Sequence, residues 1–336
     1  MVKFVLLCAK GLEKLVIEDL QDIGKVLETY PGIIILEYDS DYSKLIQLKT
    51  ADDVLIFVKK FTGINRYKTS IKNLRHQSAK ANLAGALEIC RKLRKIEAPV
   101  FSVKASYEGR RDYTALDIEK SVISGIKKHY NWTYNEKANL QVMAIVRPEI
   151  SLCGVSLAEQ PLHILNKIPI TVPGSLKPSV AYSLLKLAEL KKTDIFLDPM
   201  AGSGIIAIKA APFVAKTIAG DIDRNRIEIA KKNSQNIIKF HVWDARDTKL
   251  PDSSVDKIVC NLPFDKQVKL NTEEFFSSFI EEMHRISKKD ARFVFLTRHG
   301  SMLSEIMLKK GMLIKDRIKI ISSGLDSEII VALKIK

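Results

Sequence analysis

From residue 177 to residue 336 the chain alternates short apolar runs with amphipathic stretches. At Phe196-Leu197-Asp198-Pro199-Met200-Ala201-Gly202-Ser203-Gly204-Ile205-Ile206 one kind of segment turns into the other. An apolar run of strand length that breaks at Asp-Pro and resumes after two glycines is a strand-to-helix turn. The pattern predicts a helix at 178–190, strands at 194–197, 217–220, 257–260, 292–296 and 329–335, and helical stretches between them. Short strands separated by helices pair in parallel, with helices on both faces. This half is therefore expected to be an open, doubly wound, Rossmann-like α/β sheet.

In such sheets ligands bind beyond the carboxyl ends of the strands. Gly202 and Gly204 let the backbone approach a ligand closely and turn helix N-terminal amides toward it. Asp221, in Ala219-Gly220-Asp221-Ile222-Asp223, closes the next strand twenty-three residues after Asp198, where an acid can accept both hydroxyls of a ribose. Asp244, in Trp243-Asp244-Ala245-Arg246, ends the following apolar stretch and can accept from an adenine amino group. Val259-Cys260-Asn261-Leu262-Pro263-Phe264 runs off a fourth strand. Each aspartate alone is as readily a cap or turn residue; four segments in register describe a site. The turn lacks the third glycine of G-x-G-x-x-G, and no G-x-x-x-x-G-K-[ST] run occurs. Both facts favour a nucleoside cofactor without a pyrophosphate. The candidate cofactor-binding residues are Asp198, Met200, Gly202, Gly204, Asp221, Ile222, Asp244 and Ala245.

The first half reads differently. Strands at 2–9, 32–38 and 54–62 alternate with helices at 11–23 and 41–48, an order resembling a small ferredoxin-like unit, with Gly24 as a left-handed cap of the first helix. A polar, basic stretch at 65–80 leads into an amphipathic helix at 82–95. A strand at 101–105, an Arg-rich loop at 107–113, a helix from Thr114 to Tyr130 and a strand pair at 140–146 and 149–155 follow. Pro161, Pro169 and Pro173 mark a connector. The breaks divide the chain into 1–63, 64–157, a linker at 158–176, and 177–336.

The net charge of +15 follows this division. Residues 1–58 carry six basic and ten acidic side chains, whereas residues 59–128 carry seventeen basic and six acidic, a local excess of +11. An anionic partner, nucleic acid before membrane, is expected to meet that segment. Lys104, Arg110 and Arg111 are candidate phosphate contacts, and Trp132 and Tyr134 can stack on nucleotides or simply pack. Helix faces such as Arg91, Lys92, Arg94 and Lys95 are equally consistent with solvation.

No apolar run approaches the roughly 20 residues of a membrane span, and Lys10 and Gly11 interrupt the apolar start too early for a secretory signal. Cys8, Cys90, Cys153 and Cys260 stand singly, and the six histidines show no metal-like spacing. Neither a zinc site nor a disulfide scaffold is expected; the chain reads as cytoplasmic with reduced thiols.

Asn261-Leu262-Pro263-Phe264 resembles the N/D-x-P-F/Y motif of S-adenosylmethionine-dependent methyltransferases acting on planar amino groups. Such an amine is a poor nucleophile because its lone pair is delocalised into the ring. Two acceptors, the Asn261 side-chain oxygen and the Leu262 carbonyl, can hold its hydrogens and localise that pair, while Phe264 stacks on the base and Pro263 stiffens the turn. Phe101-Ser102-Val103-Lys104-Ala105, Arg110-Arg111-Asp112-Tyr113-Thr114 and Cys153-Gly154-Val155-Ser156-Leu157 resemble a THUMP core. Leu176-Lys177-Pro178-Ser179-Val180-Ala181 resembles the L-[RK]-P-[ST]-x-A run that leads into the family's catalytic domain.

The whole chain thus resembles the THUMP-domain RNA methyltransferases. The resemblance implies a ferredoxin-like domain at 1–63, a THUMP domain at 64–157 and a methyltransferase domain at 177–336. It also implies S-adenosylmethionine as cofactor, tRNA gripped at its acceptor region, and N2-methylguanosine as product. The N-L-P-F form is similar to that of enzymes acting at guanosine six, whereas those acting at guanosine ten more often carry D-P-P-Y. Asp265 departs from the glycine usual there and brings a side chain and a negative charge toward an RNA backbone, which Lys266 and Lys269 offset; Lys266 joins the RNA-binding candidates. Other readings keep the motif but move it to rRNA guanine, DNA adenine or a protein glutamine, or make the chain a non-catalytic RNA-binding protein with a decayed methyltransferase domain. The basic first half disfavours a protein substrate, and the intact Asp198, Gly202, Gly204, Asp221 and Asn261 disfavour decay.

Overall fold

The computed structural model describes every residue except 21, 22, 98, 139, 264–271, 323 and 336. The chain forms two compact units, one of residues 1–8 and 13–165, the other of residues 9–12 and 166–336.

In the first unit, β1 (Val2–Leu7), α1 (Glu13–Glu18), β2 (Lys25–Tyr30), β3 (Ile33–Tyr38), α2 (Ser43–Ile46) and β4 (Asp53–Lys60) form a β-α-β-β-α-β module. Its strand order is β2-β3-β1-β4 and every pairing is antiparallel. This is a ferredoxin-like arrangement with one strand more than the sequence pattern predicts. The additional strand, β2, lies at the sheet edge with no residue fully buried, so its sequence carries no apolar run. A turn through Gly32, at φ 73°, reverses it into β3. Gly24 is not the left-handed helix cap that its position predicts. It opens β2, where a Cβ would lie 2.6 Å from the Glu37 carbonyl oxygen, and close backbone approach is what demands glycine. The first helix is shorter than its apolar spacing predicts, and after Glu18 it unwinds through i→i+3 bonds at Asp19, Leu20 and Ile23.

The unit continues with α3 (Thr69–Ala79), α4 (Leu83–Arg91), β5 (Val100–Tyr107), α5 (Ala115–His129), β6 (Thr133–Tyr134), β7 (Leu140–Val146), β8 (Ser151–Ser156) and α6 (Leu162–Leu165). Because β4 pairs with β8, one eight-stranded sheet runs β2-β3-β1-β4-β8-β7-β5-β6. A Thr114–Asp117 capping box starts α5. Helix α3 occupies the basic stretch, where the sequence pattern predicts no element. It packs on α5 through small residues: Ser70 and Ser78 are buried, Ser121 donates to the Ile71 carbonyl, and a Cβ on Gly125 would lie 2.4 Å from the Arg75 carbonyl oxygen. With Leu74 as its one buried apolar residue between Ser70 and Ser78, the helix leaves no apolar stripe to read.

The second unit comprises α7 (Pro178–Leu187), β9 (Ile195–Asp198), α8 (Ile205–Ala210), β10 (Lys216–Asp221), α9 (Arg224–Asn233), β11 (Lys239–Val242), β12 (Val255–Asn261), α10 (Thr272–Ile286), β13 (Ser287–Thr297), α11 (Gly300–Lys309), β14 (Met312–Ser322) and β15 (Leu325–Lys334). Its sheet runs β11-β10-β9-β12-β13-β15-β14. The first five strands are parallel, and β15 is antiparallel to both its neighbours. The expected doubly wound sheet is present, with β11 and β14 added. Strand β11 has only four residues, and Lys315, Asp316 and Arg317 interrupt the apolar pattern of β14. Phe276, Phe279, Ile280 and Met283 of α10 are buried with Phe293 and Phe295 of β13 in one cluster. Each such side chain contributes roughly 1.5–3 kcal/mol. The chain steps outward from β9 to β11, then crosses to β12 on the other side. The crevice of a doubly wound sheet therefore opens at the carboxyl ends of β9 and β12.

Candidate active site

A cavity of about 530 Å³ opens at those strand ends, within the size range of small-molecule sites. Met200, Gly202, Asp221, Ile222, Asp244, Ala245, Asn261, Leu262 and Pro263 line it, so most of the residues singled out in the sequence come together. Asp198 and Gly204 do not. Asp198, at the end of β9, is sealed from solvent and neither of its oxygens has a well-formed hydrogen bond. Burial and the neighbouring Asp221 charge push its carboxyl well above the ordinary range, with the Met200 and Ala207 amides opposing the shift.

The two glycines serve different ends. Gly202, at φ 54°, would point a Cβ into open space, whereas Gly204, at φ 88°, would crowd Ala230, Ile208 and Phe240 at 3.1–3.2 Å. Gly202 allows close approach to the cavity; Gly204 allows the turn to pack on α9 and β11.

Asp221 is nearly buried and held from both sides: the Gly202 amide donates to Oδ2 at 2.9 Å and the Asp223 amide to Oδ1 at 3.0 Å. Each oxygen keeps acceptor capacity for a ligand hydroxyl. Ile222 beside it is 70% exposed, an isolated apolar surface at the cavity. Asp223 caps α9. The Trp243 ring covers Gly220, and its Nε1 donates to the Pro199 carbonyl at 3.0 Å, tying the β11 end to the glycine turn.

Asp244 is gripped by Arg246, whose Nε and Nη2 donate to its carboxylate at 3.0 and 2.6 Å, and this guanidinium holds the carboxyl below its usual range. Arg246 also lies over the Phe275 ring at 5.9 Å. At the end of β12 the Asn261 Nδ2 donates to the Gly174 carbonyl at 3.4 Å, while Oδ1 is buried without a hydrogen-bond partner. The Leu262 amide donates to the Leu296 carbonyl at 2.9 Å and fixes the chain where it leaves the strand. Phe264, Asp265, Lys266 and Lys269 lie outside the described residues.

Several lining residues are not singled out by the sequence pattern. Arg246 and Arg226 follow the candidate acids closely, and that spacing is the available signal. Phe275 and the segment Val172, Pro173, Gly174, Ser175 and Leu176 come from sites distant in sequence, the latter from a stretch that reads as linker. Composition carries no trace of that convergence.

In the first unit Lys104 and Arg110 are exposed. Arg111 is committed within the fold: it donates to the carbonyls of Glu108 and Asn65 and to the Tyr113 hydroxyl at 3.0–3.1 Å. Trp132 and Tyr134 pack partly buried, edge-on to Phe101. Among the described residues no helix is long and apolar enough to cross a membrane, and no group of three or more His, Cys, Asp or Glu is placed to hold a metal.

Residues 166–325 match the family model of the RMKL-like methyltransferase domain. A tRNA (guanine(6)-N2)-methyltransferase of Thermus thermophilus is 33% identical over 172 residues, covering 48% of this chain and 51% of that protein. A tRNA (guanine(10)-N2)-dimethyltransferase of Methanothermobacter thermautotrophicus is 32% identical over 126 residues, covering 35% and 37%. The chain thus spans about half or less of the length of these curated relatives. The crystal structure of TrmN from Thermus thermophilus superposes with a TM-score of 0.76 at 24% identity and covers both chains in full, so the fold is shared throughout.

Proposed function

We propose that the chain is a THUMP-type guanine-N2 methyltransferase, residues 166–325 being similar to the RMKL-like methyltransferase domain, and that it methylates the exocyclic amine of a guanosine in tRNA, using S-adenosylmethionine. The observation that carries the chemistry is the Asn261 amide, in the lining of a nucleoside-sized cavity: its nitrogen is occupied by Gly174, and its oxygen is enclosed without a hydrogen-bond partner.

The cavity fits that cofactor by the chemistry of its donors and acceptors. Asp221 offers a carboxylate fixed by two amides to a ribose diol, Asp244 an acceptor for the adenine amine, and Ile222 and Ala245 apolar surface for the base. Bound there, S-adenosylmethionine supplies an electrophilic methyl group on a sulfonium. The chain's own part is to orient the nucleophile. The Asn261 Oδ1 and the Leu262 carbonyl accept the two hydrogens of the amine and direct its lone pair toward the cavity. Phe264 would stack on the guanine, and a guanosine in a duplex has to be turned out of the stack to reach it. The N-terminal domains, 1–63 and 64–157, grip the tRNA acceptor region, with Lys104 and Arg110 on phosphates and Lys266 as a further RNA contact. A tRNA substrate and four thiols free of disulfides fit a cytoplasmic enzyme.

Guanosine six is the favoured target, supported by the N-L-P-F form and the Thermus relative. Guanosine ten is the second reading, supported by the archaeal relative of nearly equal identity. Unmodified tRNA incubated with the protein and methyl-labelled cofactor, followed by nucleoside mass spectrometry and mapping, decides between them. N2-methylguanosine at position six is the expected result, and label at position ten selects the second reading. Cofactor binding with no methylation of any RNA would leave a non-catalytic RNA-binding protein.

A further inference from the structure

Asn233, the last residue of α9, does not touch the cavity, yet it is buried and fully engaged. Its Oδ1 accepts from the Ile170 amide at 2.8 Å, and its Nδ2 donates to the Ile170 carbonyl at 2.7 Å and to the Ser203 carbonyl at 2.9 Å. One side chain thus pairs with a peptide group in both directions, as a neighbouring strand would, and binds the glycine turn with its remaining hydrogen. Residues 170–176, an irregular strap with no helix or strand of its own, are tied down at that point. A second tie lies further along: the Ser175 and Ser203 hydroxyls meet at 2.9 Å, and Ser175 also accepts from the Val172 amide at 3.0 Å. Between the two ties sits Gly174, whose carbonyl receives the Asn261 Nδ2.

We propose that Asn233 is a positioning residue for methyl transfer: by clamping the strap 170–176 to the glycine turn it holds the Gly174 carbonyl where it occupies the Asn261 Nδ2 and leaves the enclosed Oδ1 as the acceptor for the target amine. The role rests on the reading of Asn261 given above. An amide can present either its oxygen or its nitrogen to a cavity, and the two faces have nearly the same shape. Only a fixed acceptor on the nitrogen side separates them. The Gly174 contact is long, so its strength depends on how firmly the strap is held, and a small displacement of a reacting group is costly in rate. The buried Asn233 supplies that firmness from outside the cavity. An unpaired Ile170 amide or Ser203 carbonyl would be left behind by its removal.

The test uses the full-length protein labelled with ¹⁵N at asparagine. The Asn261 side-chain amide signal is assigned by its loss in Asn261→Asp. In Asn233→Ala that signal is expected to shift or broaden, and kcat for tRNA methylation to fall by about 10- to 100-fold, while tRNA affinity is retained. Ser175→Ala cuts the other tie without touching α9 and is expected to move the same signal, so the clamp stays testable even where Asn233→Ala misfolds. An unmoved Asn261 signal in folded Ser175→Ala, or in folded Asn233→Ala, overturns the proposal. A wild-type protein that methylates no RNA overturns the functional reading instead, and the amide signal then still decides whether the strap orients Asn261.

Discussion

Two aspartates at neighbouring strand ends look alike in the sequence and differ in the fold. Asp221 faces the cavity with both oxygens anchored by amides, while Asp198 is sealed behind the turn, its carboxyl raised by burial and by Asp221 itself. Asp221→Asn removes a charged acceptor and is expected to weaken S-adenosylmethionine binding by about 10- to 100-fold, following the ~1.5–3 kcal/mol of hydrogen bonds to charged groups. Titration calorimetry with the cofactor measures it. Asp198→Asn, which resembles a protonated Asp198 in charge, is expected to change that affinity less; an equal loss would place Asp198 at the ligand after all. Asn261→Ala is expected to lower kcat by about 10²–10³, the scale of losing one preorganised transition-state contact, with tRNA affinity unchanged in a filter-binding assay. These acids and the amide were legible because residue type at a strand end announces chemistry. Their individual burial was not, because it depends on side chains from α9, β11 and the strap.

Helix α10 shows how an element can support a site without forming it. Near its start Phe275 meets Arg246, and near its end Glu282 accepts from the Thr248 amide and hydroxyl at 2.8 and 2.7 Å. Arg285 binds Glu282 and reaches the Leu250 carbonyl at 2.9 Å. Together these contacts brace the loop after β11 that carries Asp244. Glu282 is 6% exposed, so Glu282→Ala leaves the Thr248 amide and hydroxyl without their acceptor, while Arg285 keeps Asp252 and the Leu250 carbonyl. It is expected to cost about 1–3 kcal/mol, read as a lowered denaturant midpoint, together with weaker cofactor binding.

At the β4–β8 pairing, burial raises Asp53 to about 7 although the Val54 amide and the Ser156 hydroxyl donate to it. In the unfolded chain it titrates near 3.8. Between those values the folded protein keeps a proton that the unfolded chain has released, so this group's contribution is full below pH 3.8 and is lost as the pH rises to about 7. Stability from this group is expected to fall by a few kcal/mol, on the order of 1.4 per pKa unit. Asp53→Asn flattens that slope in urea unfolding series at pH 4 to about 8. An unchanged slope would show that Asp53 does not set it. The ferredoxin-like order was legible in part: its apolar central strands gave themselves away, whereas the half-exposed edge strand β2 and the serine-buried helix α3 carry no periodic signal.

For the whole molecule the net charge of +15 is the widest-ranging feature, and its excess lies at 59–128. The structure separates two arginines that the sequence treats as a pair. Arg110 is exposed, and Arg110→Ala is expected to reduce the slope of log K against log salt for tRNA binding by about one, with unrelated tRNAs affected alike. Arg111→Ala instead frees Asn65, Glu108 and Tyr113, and is expected to lower the unfolding midpoint. A salt slope untouched by Arg110→Ala removes that residue from the footprint. By itself the sequence determined the sheet class, the strand ends that carry Asp221, Asp244 and Asn261, and the charge imbalance, because those follow from local pattern and residue type. Only the tertiary structure decided which aspartate faces the cavity, which arginine is free, and that a stretch resembling a linker supplies the carbonyl orienting Asn261. Those are matters of burial and of hydrogen bonds between groups as far as 87 residues apart, and no local pattern encodes them.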